Sequence, residues 1–105
     1  MVDKNTLAFV TQHLRRWFDY PGDFSTELDL VALAGVNPVL IQRVLEGIHK
    51  DRKMKWPTVP DADGRQQPAQ LFIGDVLTVG QLCDIVQSGA WPQSWTRPGK
   101  YLQAP

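Results

Sequence analysis

Cysteine is almost absent from this chain. Cys83 stands alone, so no internal disulfide forms, and a single thiol fits a reducing cytoplasm. Histidine is nearly as scarce. His13 and His49 fall in different segments, neither has a cysteine or carboxylate at ligand spacing, and both are expected to be partly exposed and without a role. No apolar run approaches the ~20 residues needed to span a bilayer. The opening Met1-Val2-Asp3-Lys4-Asn5 lacks the charged-then-apolar layout of a secretory signal, so a cytoplasmic location is expected. Neither sign of charge is in excess: 11 Lys and Arg stand against 11 Asp and Glu, and no net field steers the chain toward nucleic acid or anionic lipid. No glycine-rich phosphate loop follows a strand. The pair Asp61 and Asp63 lacks the further acidic ligands of a calcium loop and reads as a solvated turn. Cys83, beside Leu82 and near Ile85, reads as a buried structural thiol, with nothing adjacent to lower its pKa. This inventory holds no catalytic set, no metal site and no cofactor site, so an enzyme is not expected.

What is present is the composition of one ordinary folded domain. With 105 residues, 43% hydrophobic and 21% charged, the chain has enough apolar surface for a single modest core.

Helical periodicity organises that surface. Over residues 6–18, Leu7, Val10, Leu14, Trp17 and Phe18 recur on one face, with Asn5 as a cap and Tyr20-Pro21-Gly22-Asp23 as the stop. Residues 24–34 carry Leu28, Leu30 and Leu33 as anchors of a loop or short helical turn. A second helix is predicted from Pro38, the favoured first position, with Asn37 as its cap and Ile41, Val44, Leu45 and Ile48 as its inward face. Trp56-Pro57 ends it. Residues 57–70, with three prolines and Gly64, predict an exposed loop; Leu71-Phe72-Ile73 is too short to assign. The last helix runs from a Thr78 cap through Val79, Leu82, Ile85 and Val86 to Gly89. Beyond it, Trp91, Trp95 and Tyr101 lie between prolines, and the tail is expected to pack down as extended chain because exposed tryptophans are unfavourable. No β-rich segment is evident. The expectation is an all-α fold, with residues 1–90 as the domain and 91–105 as the tail packed on it. Leu7, Leu14, Ile41, Val44, Ile48, Leu82 and Ile85 are expected to share one core.

The order of these marks resembles the acyl carrier proteins. Gly35-Val36-Asn37-Pro38 looks like that family's Gly-Leu-Asp-Ser, and Trp56-Pro57 looks like the Ile-Pro that follows its second helix, with no gap needed between them. Thr78-Val79-Gly80-Gln81-Leu82 resembles the opening of its last helix, and the longer connection before Thr78 is an insertion. The match spans about residues 5–88, and the ending Ser88-Gly89-Ala90-Trp91 also resembles an uncharacterised bacterial group of carrier-like proteins. The resemblance implies a small four-helix bundle with a long loop before the last helix and an aromatic tail. It also implies no phosphopantetheine attachment, because Pro38 falls on the serine position and has no hydroxyl. Ser25 and Ser88 are not at the start of that helix and do not replace it.

The charge of the second helix departs from the family as well. Carrier proteins present an acidic helix there, whereas residues 43–55 hold Arg43, Lys50, Arg52, Lys53 and Lys55 against Glu46 and Asp51. The function expected from this resemblance is a protein-interaction or adaptor module without a prosthetic arm. Its partner-binding residues are Val39, Leu40, Arg43, Lys50, Arg52 and Lys53, an apolar pair beside a basic segment.

A second resemblance is to a repressor-type helix-turn-helix. Residues 26–45 look like the start of lactose-repressor-type regulators, with Gly35 at the turn and residues 38–47 as the recognition helix. Against it stand Val31 where the helices would cross, Val39 and Leu40 where polar base-reading side chains belong, and the neutral chain. The alternative function is thus a small DNA-binding transcriptional regulator.

Overall fold

The computed structural model describes residues 3–102. The described residues hold four α-helices: α1 (Lys4–Trp17), α2 (Leu30–Ala34), α3 (Val39–Arg52) and α4 (Val79–Ser88). Two short strands, β1 (Thr58–Pro60) and β2 (Gln66–Pro68), form an antiparallel hairpin between α3 and α4, and a single 3-10 turn follows at Gln93–Trp95.

The hairpin overturns the expectation of an all-α four-helix bundle, because the predicted exposed loop at 57–70 contains it. Its register pairs Thr58 with Pro68, Val59 with Gln67 and Pro60 with Gln66. The turn is built by Asp61. Its Oδ1 accepts from the Asp63 and Arg65 backbone N–H groups, its Oδ2 accepts from the Gln67 side-chain amide at 3.0 Å, and Gly64 takes φ 81°. An aspartate that satisfies its own turn closes a hairpin without any apolar alternation in the strands. Only Val59 is buried among the six strand residues, so the period-2 pattern that announces a strand is missing.

Helix boundaries follow their caps. α1 starts two residues before the predicted Thr6, because Asp3 and not Asn5 accepts from a first-turn N–H, at 2.9 Å. Asn37 caps nothing with its side chain. Pro38 already has αR geometry, and the Leu40 N–H reaches the Asn37 carbonyl at 3.2 Å. Lys53 ends α3 in the left-handed region at φ 52°. At α4 the capping box is complete: Thr78 Oγ1 accepts from Gln81 N–H, and the Gln81 side chain accepts from Thr78 N–H.

The core is shared by all four helices. Val10, Leu14, Ile41, Val44, Leu45, Ile48, Leu82 and Val86 are buried in one cluster with Leu30, Leu71 and Trp91. Of the seven residues expected to form it, Leu14, Ile41, Val44, Ile48 and Leu82 are buried, while Leu7 and Ile85 are half-buried and pack on its edge. Trp17, expected inside, is 43% exposed, since Phe18 turns inward at the end of α1 instead.

Two clamps hold the pieces in place. Asp29 Oδ1 accepts from Val31 N–H, capping α2, and from Leu77 N–H, 48 residues later. Around it Leu30 N–H donates to Leu77 O at 2.7 Å, and Gly80 N–H donates to Thr26 O at 2.9 Å. A Cβ at Gly80 would lie 3.1 Å from that Thr26 oxygen, so the start of α4 seats directly on the segment before α2. The second clamp is aromatic. Trp56 meets His49 and Trp91 edge-on, Trp91 stacks on Trp95, and Trp56 Nε1–H donates to Ala69 O at 2.9 Å. The tail is thereby bound to the hairpin, with Tyr101 pairing against Ala69.

Ile48 is fully buried at the centre of α3. Ile48→Ala is expected to destabilise the fold by ~2–5 kcal/mol, read as a lower midpoint in urea with an unchanged slope. An unchanged midpoint would contradict the assignment of that face.

Candidate functional site

The inward face of α3 is filled by Ile41, Val44, Leu45 and Ile48, which leaves Val39, Arg43, Glu46, Lys50 and Lys53 exposed at spacings of four, three, four and three. That spacing lines them along one side of the helix. Val39 is 52% exposed, and Val36, in the turn just before, is fully exposed. Gly35 makes this turn possible: its φ of 58° lets the chain leave α2 while its N–H donates to Val31 O at 3.2 Å. Pro38 is exposed at the start of α3 and borders a depression of about 360 Å³ with Val31, Ile41 and Leu71.

The six expected partner-binding residues do not form one patch. Leu40 is half-buried and packs on the core, because it follows the inward-turning side of the first helical turn. Arg52 places its guanidinium 4.4 Å from the centroid of the Phe9 ring, on α1. Val39, Arg43 and Lys50 lie on the exposed stripe, and Lys53 continues it at the helix stop. Arg43 is paired with Glu46 at 3.2 Å, an exposed contact one turn along α3.

Two grooves flank this stripe, and sequence spacing announces neither. On one side α3 faces the tail across a groove of about 620 Å³, lined by Val39, Gln42, Gln70, Lys100, Tyr101 and Leu102. On the other it faces α1 across a groove of about 640 Å³, lined by Arg16, Trp17, Arg43, Glu46, Gly47 and Lys50. The exposed indole of Trp17, on an otherwise amphipathic helix, is the one local signal of the second groove.

At the floor of the α1–α3 groove lies His13, which is 2% exposed and not the partly exposed residue expected. Its Nε2–H donates to Asp51 Oδ2 at 2.9 Å, Phe9 packs edge-on against the ring, and Nδ1 faces Gly47 without a hydrogen-bond partner. Burial holds its pKa below the ordinary imidazole value. Asp51 opposes that shift and the Arg16 charge adds to it.

Cys83 and Asp61 have structural roles. Burial, with a smaller contribution from Asp84, pushes the Cys83 thiol up to about 11, so little of it is thiolate at neutral pH. The Gln67 hydrogen bond, with those from Arg65 and Asp63, holds Asp61 below the usual carboxylate range. Among the described residues no group of three His, Cys, Asp or Glu is placed to hold a metal, and no helix is long and apolar enough to cross a membrane.

The His13 geometry sets a pH dependence. With a folded pKa below the unfolded one, the unfolded chain takes up a proton that the native state refuses, so stability falls as pH drops below about 6.5. Urea midpoints measured from neutral to mildly acidic pH are expected to decline over that window, and His13→Gln is expected to flatten the decline. An equal slope in the variant would place the titrating group elsewhere.

A scan against family models, a search of curated proteins and a search of solved structures each found no match to this chain.

Proposed function

We propose that this chain is a protein-interaction module, similar to acyl carrier proteins in its helix order, that works without a phosphopantetheine arm and binds its partner through the exposed side of α3. The observation that carries the reading is the pair Val36 and Val39, exposed at the start of a helix whose inward face is already filled. Apolar side chains left in water beside charge are a common composition for a docking surface: burial supplies affinity, and Arg43 and Lys50 supply selectivity. The same turn supports the absence of an arm, since Pro38 stands exposed at the helix start and offers no nucleophile. The partner meets a basic stripe where an acyl carrier protein would present an acidic one, so its own surface must be complementary in the opposite sense.

The arm is tested directly. After incubation with coenzyme A and a phosphopantetheinyl transferase, the intact mass is expected to stay unchanged; a gain equal to the arm would overturn this part of the proposal.

Docking is tested with a photo-crosslinking amino acid placed at position 39 and, as a control, at Ala62 on the hairpin turn. The expected result is one defined adduct from position 39, absent from position 62 and lost when Val36→Glu and Arg43→Glu are added. Equal adducts from both positions, or none from position 39, would reject α3 as the docking element.

A further inference from the structure

We infer that the α1–α3 groove receives an acidic amphipathic helix of a partner protein, seated between Arg16 and Trp17 on one wall and Arg43 and Lys50 on the other. The inference rests on the docking reading in one respect, since both use Arg43, and it names the chemistry of what docks.

Three observations converge on this groove. The first is charge. Arg16 and Lys50 have no carboxylate partner among the described residues, and Arg43 is met only by Glu46 of its own helix. Three cations against one carboxylate leave a local excess on a chain whose formal net charge is zero. The second is shape. His13, packed on the bare backbone of Gly47, forms the floor, and the groove above it between α1 and α3 holds about 640 Å³. The third is the indole of Trp17, 43% exposed at the rim, a large apolar surface left for an apolar side chain to cover.

The spacing selects a helix. Arg43 and Lys50 are seven residues apart on α3, two turns or roughly 10 Å. Carboxylates seven residues apart on a partner helix have the same separation, and an apolar residue between them faces Trp17. Nucleic acid fits less well. A phosphate backbone needs a continuous cationic track, whereas Glu46 interrupts this one at its centre.

The probe is a synthetic fourteen-residue helical peptide with three glutamates and one leucine on a single face. It is titrated into the 15N-labelled full chain, with the Trp17 indole resonance assigned through Trp17→Phe. Expected are shifts confined to Arg16, Trp17, Arg43, Gly47 and Lys50, a roughly tenfold weaker affinity in Arg16→Glu with Lys50→Glu, and weakening with added salt. The corresponding lysine peptide is expected to shift nothing. No shift with the glutamate peptide overturns the inference, as does a short DNA duplex that shifts the same resonances more strongly. Shifts at Val36 and Val39 alone overturn the groove and leave α3 docking intact. Conversely, Val36→Glu is expected to abolish the crosslink from position 39 without altering this titration; if it weakens the peptide as much as the Arg16 and Lys50 pair does, the groove is not the site.

Discussion

Gly47 occupies the middle of α3, where glycine costs about 0.5–1 kcal/mol relative to alanine. The return on that cost is the approach of α1. A Cβ at position 47 would stand 2.9 Å from His13 Nδ1, so only a bare backbone admits the imidazole. Once admitted, the ring is fixed by Asp51 one turn further along α3 and by Phe9 one turn back along α1. These contacts run in opposite directions along the two helices: Phe9 sits near Arg52, His13 near Asp51 and Gly47, and Arg16 near Arg43. They set α1 antiparallel to α3, with Val10 and Leu14 directed into the shared core. The imidazole that fills the space of the missing side chain also forms the floor of the outer groove.

The remaining architecture arranges itself around that helix pair. α2 is a single turn, too short to be stable alone, and is held by the Asp29 cap and the hydrogen bonds to residues 77–80. A two-stranded hairpin is likewise marginal in isolation, and this one is anchored by Trp56 and by the Trp91 stack of the tail. Hairpin and tail are therefore packed with the helices, and the tail forms the far wall of the groove that α3 faces on that side.

The two sides of α3 differ in chemistry. Toward the tail, Val39, Tyr101 and Leu102 offer apolar area with Lys100 at the edge. Toward α1, cations dominate around a single indole. Both sides share the Arg43–Glu46 pair, an exposed contact of little energetic weight that is free to open toward an incoming carboxylate.

Much of the helical fold was legible in local chemistry. The inward face of α3, the capping box at Thr78 with its Gly89 stop, and the burial of Cys83 all follow from periodicity and from short-range hydrogen-bonding rules that act within a few residues. The hairpin was not legible, because its turn is made by Asp61 and its strands carry prolines and glutamines with one buried valine. Nor was His13 legible: a histidine thirty-eight residues from its aspartate has no signature in spacing, and only the packing of α1 on Gly47 takes it out of water. The candidate site divides in the same way. Val39, Arg43 and Lys50 share an outward face of one helix, which the 3.6-residue period determines from sequence alone. Arg16 and Trp17 join them across a helix–helix contact, Lys100 and Tyr101 across a chain reversal, and Leu40 and Arg52 turn to other partners. Those assignments depend on which distant side chains meet, and that is decided by the close packing of the whole core.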